Sequence, residues 1–222
     1  MHQPLILRRL GITEFESTCQ SMQHFNAERT SGTADELWLT EHPPVYTLGL
    51  NRKQVRSPAR NDILVIPTDR GGKITYHGPG QVIIYVMLDL TKYSLNIRSL
   101  VSVLEDTVIE LLADYGVKAT AKKDAPGVYV QLKDAQEAKI ASLGLRIKNN
   151  CCYHGLSLNV NMDLSPFEAI DPCGYAGLKV TQTKDLGIEA DADTIGDLLL
   201  QKLNANFEYL QKSAISTNSN ND

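Results

Sequence analysis

The sequence predicts an α+β fold built on a mixed β-sheet flanked by helices. Three observations predict it: β-rich runs outnumber helical ones, one pair of runs is joined by a short polar turn, and the few helical patterns are scattered rather than alternating with strands. Residues 4–9 read as a first strand. Thr13, followed three residues on by Glu16, makes the capping box of a helix that reaches about Arg29, with Phe15, Cys19, Met22 and Phe25 on its buried face. Cys19 is therefore expected to serve as a small core hydrophobe. Short strands follow at 35–41, 44–48, 63–67 and 81–90, punctuated by Pro and Gly. A second helix, Ile97 to Tyr115, gathers Leu100, Leu104, Val108, Leu111 and Leu112 on one side and stops at Gly116. Runs 126–133 and 138–148 flank the polar turn Asp134–Glu137 as an antiparallel hairpin. Strands at 153–160 and 178–183 and a helix from Ala192 to Leu210 complete the list. Residues 1–212 read as one domain, and the polar residues 213–222 as a disordered tail.

Bulk properties narrow the function. With 42% hydrophobic and 22% charged residues over 222 positions the chain has ordinary globular composition, and its net charge of −4 gives no whole-chain footprint for nucleic acid. No run of apolar residues is long enough for a membrane span, and the basic pair near the N-terminus follows a short apolar run, unlike a signal peptide. A cytoplasmic protein is the expectation. The four cysteines, Cys19, Cys151, Cys152 and Cys173, are expected to be reduced thiols. Neither C-x-x-C nor H-x-x-x-H spacing occurs, so no structural metal site is expected.

Chemistry-bearing residues concentrate in a few places. Arg70 to Gln81, RGGKITYHGPGQ, has four glycines that let backbone approach a ligand, with Arg70, Tyr76, His77 and Gln81 as polar ends. It reads as a binding loop or as a glycine-rich turn between strands. It matches neither a phosphate loop nor a dinucleotide fingerprint, so a nucleotide is not implied. Cys173, between Pro172 and Gly174 in a segment without periodicity, is a candidate nucleophile. Free cysteine is only a few per cent thiolate at neutral pH, so it needs an activating partner. Lys139 is one candidate. Strand alternation places it on the face of Ala141, Leu143 and Leu145, where partial desolvation favours its neutral form, although a strand-end lysine also reaches water easily. His77 and His154 are the others, and residue pattern does not rank the three. The basic clusters Arg52, Lys53, Arg56, Arg60 and Lys118, Lys122, Lys123 could face an acidic partner or only solvent.

Taken together, EHPPVYTLG, RGGKITYHGPGQ, KIASLGLRI, HGLSLNVNMDLSPF and PCGYAG resemble, in order and spacing, the octanoyltransferase family, also called lipoate-protein ligase B, over residues 35–180. The resemblance implies the fold of biotin and lipoate protein ligase catalytic domains. It further implies an ATP-independent acyltransferase without cofactor or metal. Octanoyl would arrive on acyl carrier protein and leave on a lysine of lipoyl domains, those of 2-oxoacid dehydrogenases and the glycine cleavage H protein. By motif position, Cys173 matches the acyl-carrying nucleophile and Lys139 its activating lysine. The residues matching those around the acyl chain are Arg70, Gly71, Gly72, Lys73, Ile74, Thr75, Tyr76 and His77, then Ser142, Leu143 and Gly144, then Gly155, Leu156 and Ser157. His154 and Gln81 lie beside them as possible accessory groups. An ATP-dependent ligase of the same fold is the nearest rival, but TYHGPGQ stands where such ligases carry a GGGxVYHD type of pattern.

Overall fold

The computed structural model describes residues 4–170 and 178–218. Eleven strands form two sheets among the described residues. Strands β1 (Ile6–Ile12), β2 (Glu36–Glu41), β6 (Gln81–Asp89), β10 (Cys151–Asn159), β9 (Glu137–Lys148), β8 (Gly127–Gln131) and β7 (Ala119–Ala121) lie side by side in that order, and β11 (Lys179–Val180) pairs with β9. The β1–β2 and β9–β11 pairs are parallel and the other neighbours antiparallel, so the sheet is mixed, as expected. A smaller sheet joins β3 (Val45–Leu48) to β4 (Val65–Pro67) and β5 (Ile74–His77).

The alternation of β6 organises the interior. Its even-numbered residues Val82, Ile84, Val86 and Leu88 enter a core with helices α2 (Ile97–Asp114) and α4 (Ala192–Asn218), while Ile83, Tyr85 and Met87 meet α1 (Phe15–Ala27). Both faces are thus covered, which explains why the strand reads as an almost continuous apolar run. From α2 come Leu100, Leu104, Val108, Leu111 and Leu112, all essentially buried, as predicted. Asn96 and Ser99 form a reciprocal capping box at its start. A third cluster, Tyr46, Ile74, Tyr76, Met162, Phe167 and Ile170, lies under the small sheet beside the single-turn helix α3 (Ser165–Glu168).

Several local expectations change. The expected glycine-rich loop at 70–81 contains the strand β5, paired with β3 from Val45↔His77 to Leu48↔Ile74. Thr13 does not cap α1: the cap position is Glu14, and the Thr13 hydroxyl bonds Thr40 at 2.8 Å and Thr18 at 2.9 Å instead. A tertiary partner has displaced the local one. The last helix continues past Leu210 to Asn218, into the polar tail.

Lys139 faces away from Ala141, against the alternation expected for an unbroken strand. Val128 pairs with Ala141 while its neighbour Tyr129 pairs with Lys139, so Ile140 is an extra residue, a β-bulge. Consecutive residues of β8 point to opposite faces, and so do their partners. Ala141 joins the large core with Val128, whereas Lys139 turns the other way, toward the Tyr129 ring.

Candidate active site

Between the large and small sheets lies a cavity. Arg70, Gly72, Lys73, Ile74, Thr75 and His77 form one wall; Ser142, Leu143, Gly144, His154, Gly155, Leu156 and Ser157 form the other; and Phe15, Ile83 and Tyr85 line it too. Three separated sequence stretches meet there because β9 and β10 pair closely, Leu156↔Leu143 and Gly155↔Gly144, while β5 folds over them. Gly155 is required where it is, since a Cβ would overlap the Ile84 carbonyl. Gly71 instead lines an adjoining wider depression with Asn51, Ile97 and Asp124–Pro126, which shares Gly72, Lys73, Leu143 and Gly144 with the cavity. Tyr76 points away into the small-sheet core, its ring packed edge-on against Phe167. Phe15, Ile83 and Tyr85 were not among the expected site residues; their signal is their placement on the inward faces of α1 and β6.

The loop is held by Arg70, which is buried and donates to Thr47 Oγ1, the Thr47 carbonyl and the carbonyls of Gly71 and Lys73. Its guanidinium braces backbone. Gly71 N–H donates to the Leu145 carbonyl at 2.9 Å, tying the loop to β9.

His77 stacks on Phe15, and its Nδ1–H donates to Gln81 Oε1 at 2.7 Å. Gln81 in turn donates to Asn159, whose amide donates to the Thr181 carbonyl. Burial, with His42 nearby, pushes His77 down to about 3, so its imidazole is neutral. His154 is also buried, with a left-handed backbone at φ 61°, and its Nε2 lies 2.9 Å from Asp69 Oδ1. Burial pushes His154 down. The hydrogen bond from His154, supported by Tyr153, holds the Asp69 carboxyl well below the usual carboxylate range. Each histidine therefore has a hydrogen-bonded structural assignment.

Cys19 is buried, as expected, beside Phe15 and Met22, and burial pushes its thiol up. Its sulfur lies with donor atoms of Asp69 and His154 within 4.8 Å of one another, the one such grouping among the described residues. The Asp69–His154 hydrogen bond already spans it. Cys152 is buried, its S–H donating to the Val86 carbonyl, while Cys151 is half-buried. In the basic clusters, Arg60 is paired with Asp62 and Lys122 with Glu137.

Lys139 is 2% exposed. Its Nζ donates to the Pro126 carbonyl at 2.8 Å and lies 5.3 Å from the Tyr129 ring centroid. Pro126 also lines the wider depression, so the ammonium sits just behind its wall. Cys173 lies outside the described residues. The chain leaving that segment is anchored to Lys139: Val180 pairs with it, and Thr181 N–H donates to its carbonyl at 3.0 Å.

The chain is similar to several known proteins. Residues 17–204 match the family model for the lipoyl protein ligase A/B catalytic domain. An octanoyltransferase of Dechloromonas aromatica is 54% identical over 200 residues, covering 90% of this chain and 95% of that protein. An octanoyltransferase of Thiobacillus denitrificans is 57% identical over 184 residues, covering 83% and 82%. In fold, the chain is similar to the bi-partite lipoate protein ligase of Thermoplasma acidophilum, with TM-score 0.71 at 16% identity over 96% of this chain and 92% of that one. It is also similar to the biotin protein ligase of Aquifex aeolicus in complex with biotin and ATP, with TM-score 0.57 at 15% identity over 95% and 72%. Among the described residues no helix is long and apolar enough to cross a membrane. More than half identical to named octanoyltransferases and matched over residues 17–204 by the lipoyl protein ligase A/B model, the chain belongs to the octanoyltransferase family, acyltransferases of protein lipoylation.

Proposed function

We propose that the protein moves an octanoyl group from octanoyl-acyl carrier protein to the acceptor lysine of lipoyl domains, without ATP, through a thioester on Cys173. The observation that carries this reading is the burial of Lys139, with its strand tied directly to the chain that follows Cys173. An ammonium held there stabilises a nearby thiolate. In the first half-reaction the Cys173 thiolate attacks the donor thioester. A new C–S bond forms, the carrier's C–S bond breaks, and the Lys139 proton passes to the departing carrier thiolate. Lys139 is then neutral beside an uncharged acyl-cysteine. In the second half-reaction the acceptor amine attacks, the C–N bond forms, its proton goes to Lys139 Nζ, and Cys173 leaves as thiolate. The starting ion pair is restored. The apolar cavity walls, Ile74, Ile83, Leu143 and Leu156, suit the alkyl chain.

Intact-protein mass spectrometry after mixing with octanoyl-acyl carrier protein tests the reading. Addition of one octanoyl group without ATP is expected, absent in Cys173→Ser and discharged by a lipoyl domain. No mass gain in the wild type, or a gain that requires ATP, would overturn it.

A further inference from the structure

We propose that Glu105 is a positioning residue for Lys139, setting both where its ammonium sits and how readily it releases its proton. This rests on the Cys173–Lys139 reading above. Glu105 Oε1 accepts a hydrogen bond from Gly127 N–H at 2.7 Å, and Lys139 Nζ donates to the Pro126 carbonyl at 2.8 Å. The Pro126 carbonyl and the Gly127 N–H are the two ends of one peptide group. A carboxylate grips one end and an ammonium the other, and the carboxylate polarises the carbonyl to which the lysine is bound.

Glu105 stands out on its helix. It is 6% exposed, next to Leu104 and three residues from Val108, on a face otherwise given to apolar packing. A buried carboxylate is costly, and burial here pushes the carboxyl up from its ordinary value against the opposing influence of Gly127 N–H and Lys139. Accepting one N–H bond needs only an amide oxygen; the negative charge is what a glutamine would not supply. Several charged or titratable groups lie around Lys139. Among them are Glu105 from α2, with Asp106 acting on it, the Tyr129 phenol from β8, and Lys122, whose ammonium lies 4.7 Å from the same ring and is paired with Glu137; Asp124 lines the depression beside Pro126. On the β11 side Val180 and Thr181 bring no charge, and Lys179 is paired with Asp134. Glu105 is an anion near Lys139 whose charge does not change when the sulfur is acylated. It favours the ammonium form, so Lys139 takes the acceptor's proton and keeps it while the C–S bond breaks.

The test is single-turnover transfer of octanoyl from the acyl-enzyme to a lipoyl domain, followed across pH in wild type, Glu105→Gln and Glu105→Asp, with thermal melting of each. Transfer needs neutral Lys139, so the rate falls on the acid side. Removing the anion should move that acidic limb to lower pH in Glu105→Gln. Glu105→Asp keeps the charge and should keep the limb near the wild-type position, with a lower rate because the hydrogen bond to Gly127 is stretched. A limb unmoved in Glu105→Gln, or moved as far in Glu105→Asp, would overturn the proposal even if both variants fold. A wild type that forms no acyl-enzyme would instead overturn the reading on which it rests.

Discussion

Gly127 leaves open the space that Lys139 fills. A Cβ on Gly127 would overlap the lysine's Cε, fall 2.8 Å from its Nζ and 2.7 Å from the Ala141 carbonyl, and the residue holds φ at 139°. Gly127→Ala is therefore expected to lower stability by about 1–3 kcal/mol, through strain and forced repacking. It should also displace the ammonium and slow acylation of Cys173 more than the loss of stability explains. Comparing melting temperature with the rate of octanoyl loading checks this; normal loading would mean that the position of Lys139 is not critical.

Replacing the lysine itself separates charge from proton transfer. Lys139→Arg keeps a cation but does not exchange a proton near neutrality, so it should load Cys173 better than Lys139→Ala yet pass the acyl group on poorly. Measuring the two half-reactions separately by quenched mass analysis reads the split. Wild-type rates in both half-reactions for both variants would remove Lys139 from the mechanism.

Chain length follows from what a methylene contributes. At about 0.8 kcal/mol each, the six methylenes of octanoyl could add about 5 kcal/mol to holding the chain against Ile83, Leu143 and Leu156. Octanoyl should be strongly preferred to butanoyl. Hexanoyl and decanoyl, each two methylenes away, should be weaker but measurable, since one methylene usually separates rates by about 10-fold to 200-fold, and palmitoyl poor. Competition among acyl carrier proteins bearing these chains decides it, and equal use of butanoyl and octanoyl would exclude a chain-burying role for the cavity.

His77 gives a pH prediction whose sign is fixed. Its folded-state value, about 3, lies below the ordinary histidine value near 6.5. Below about pH 6.5 the unfolded chain therefore binds a proton that the folded protein does not. The stabilising contribution is complete above that value and is lost as pH falls, at about 1.4 kcal/mol per unit. From about pH 7 to about pH 5 the wild type should lose roughly 2 kcal/mol more than His77→Gln, which does not titrate. Urea unfolding at the two pH values measures the difference; parallel losses would show that His77 is protonated in the folded state.

Long periodic elements and the stretches that line the cavity were legible in the sequence. The faces of α1 and α2 and the inward run of β6 announce themselves because their partners need only be apolar. What escaped depended on specific distant partners. The strand Ile74–His77 is short and set among glycines, and only pairing with Val45–Leu48 makes it a strand. Thr13 looked like a cap because its alternative partner, Thr40, is remote in the chain. The bulge at Ile140 shifted Lys139 to the other face, which no period-two argument contains. Glu105 did leave a trace, as a carboxylate beside an apolar stripe, but its partner is a backbone N–H and backbone has no letter in the sequence.

The late docking of β11 on β9 has a consequence for biosynthesis. Beyond the end of its pairing with β10, the start of β9 is flanked on that side by Lys179 and Val180. During synthesis that stretch of β9 emerges long before its partner, so the Lys139 peptide stays an open strand edge until residues 178–181 leave the ribosome. A chain cut short before that point would keep both helix-packed faces of β6 except for what α4 covers, yet expose an adhesive edge at the lysine. Besides the core that α4 would cover, incomplete chains therefore carry an open edge on the very strand that bears the proposed catalytic amine.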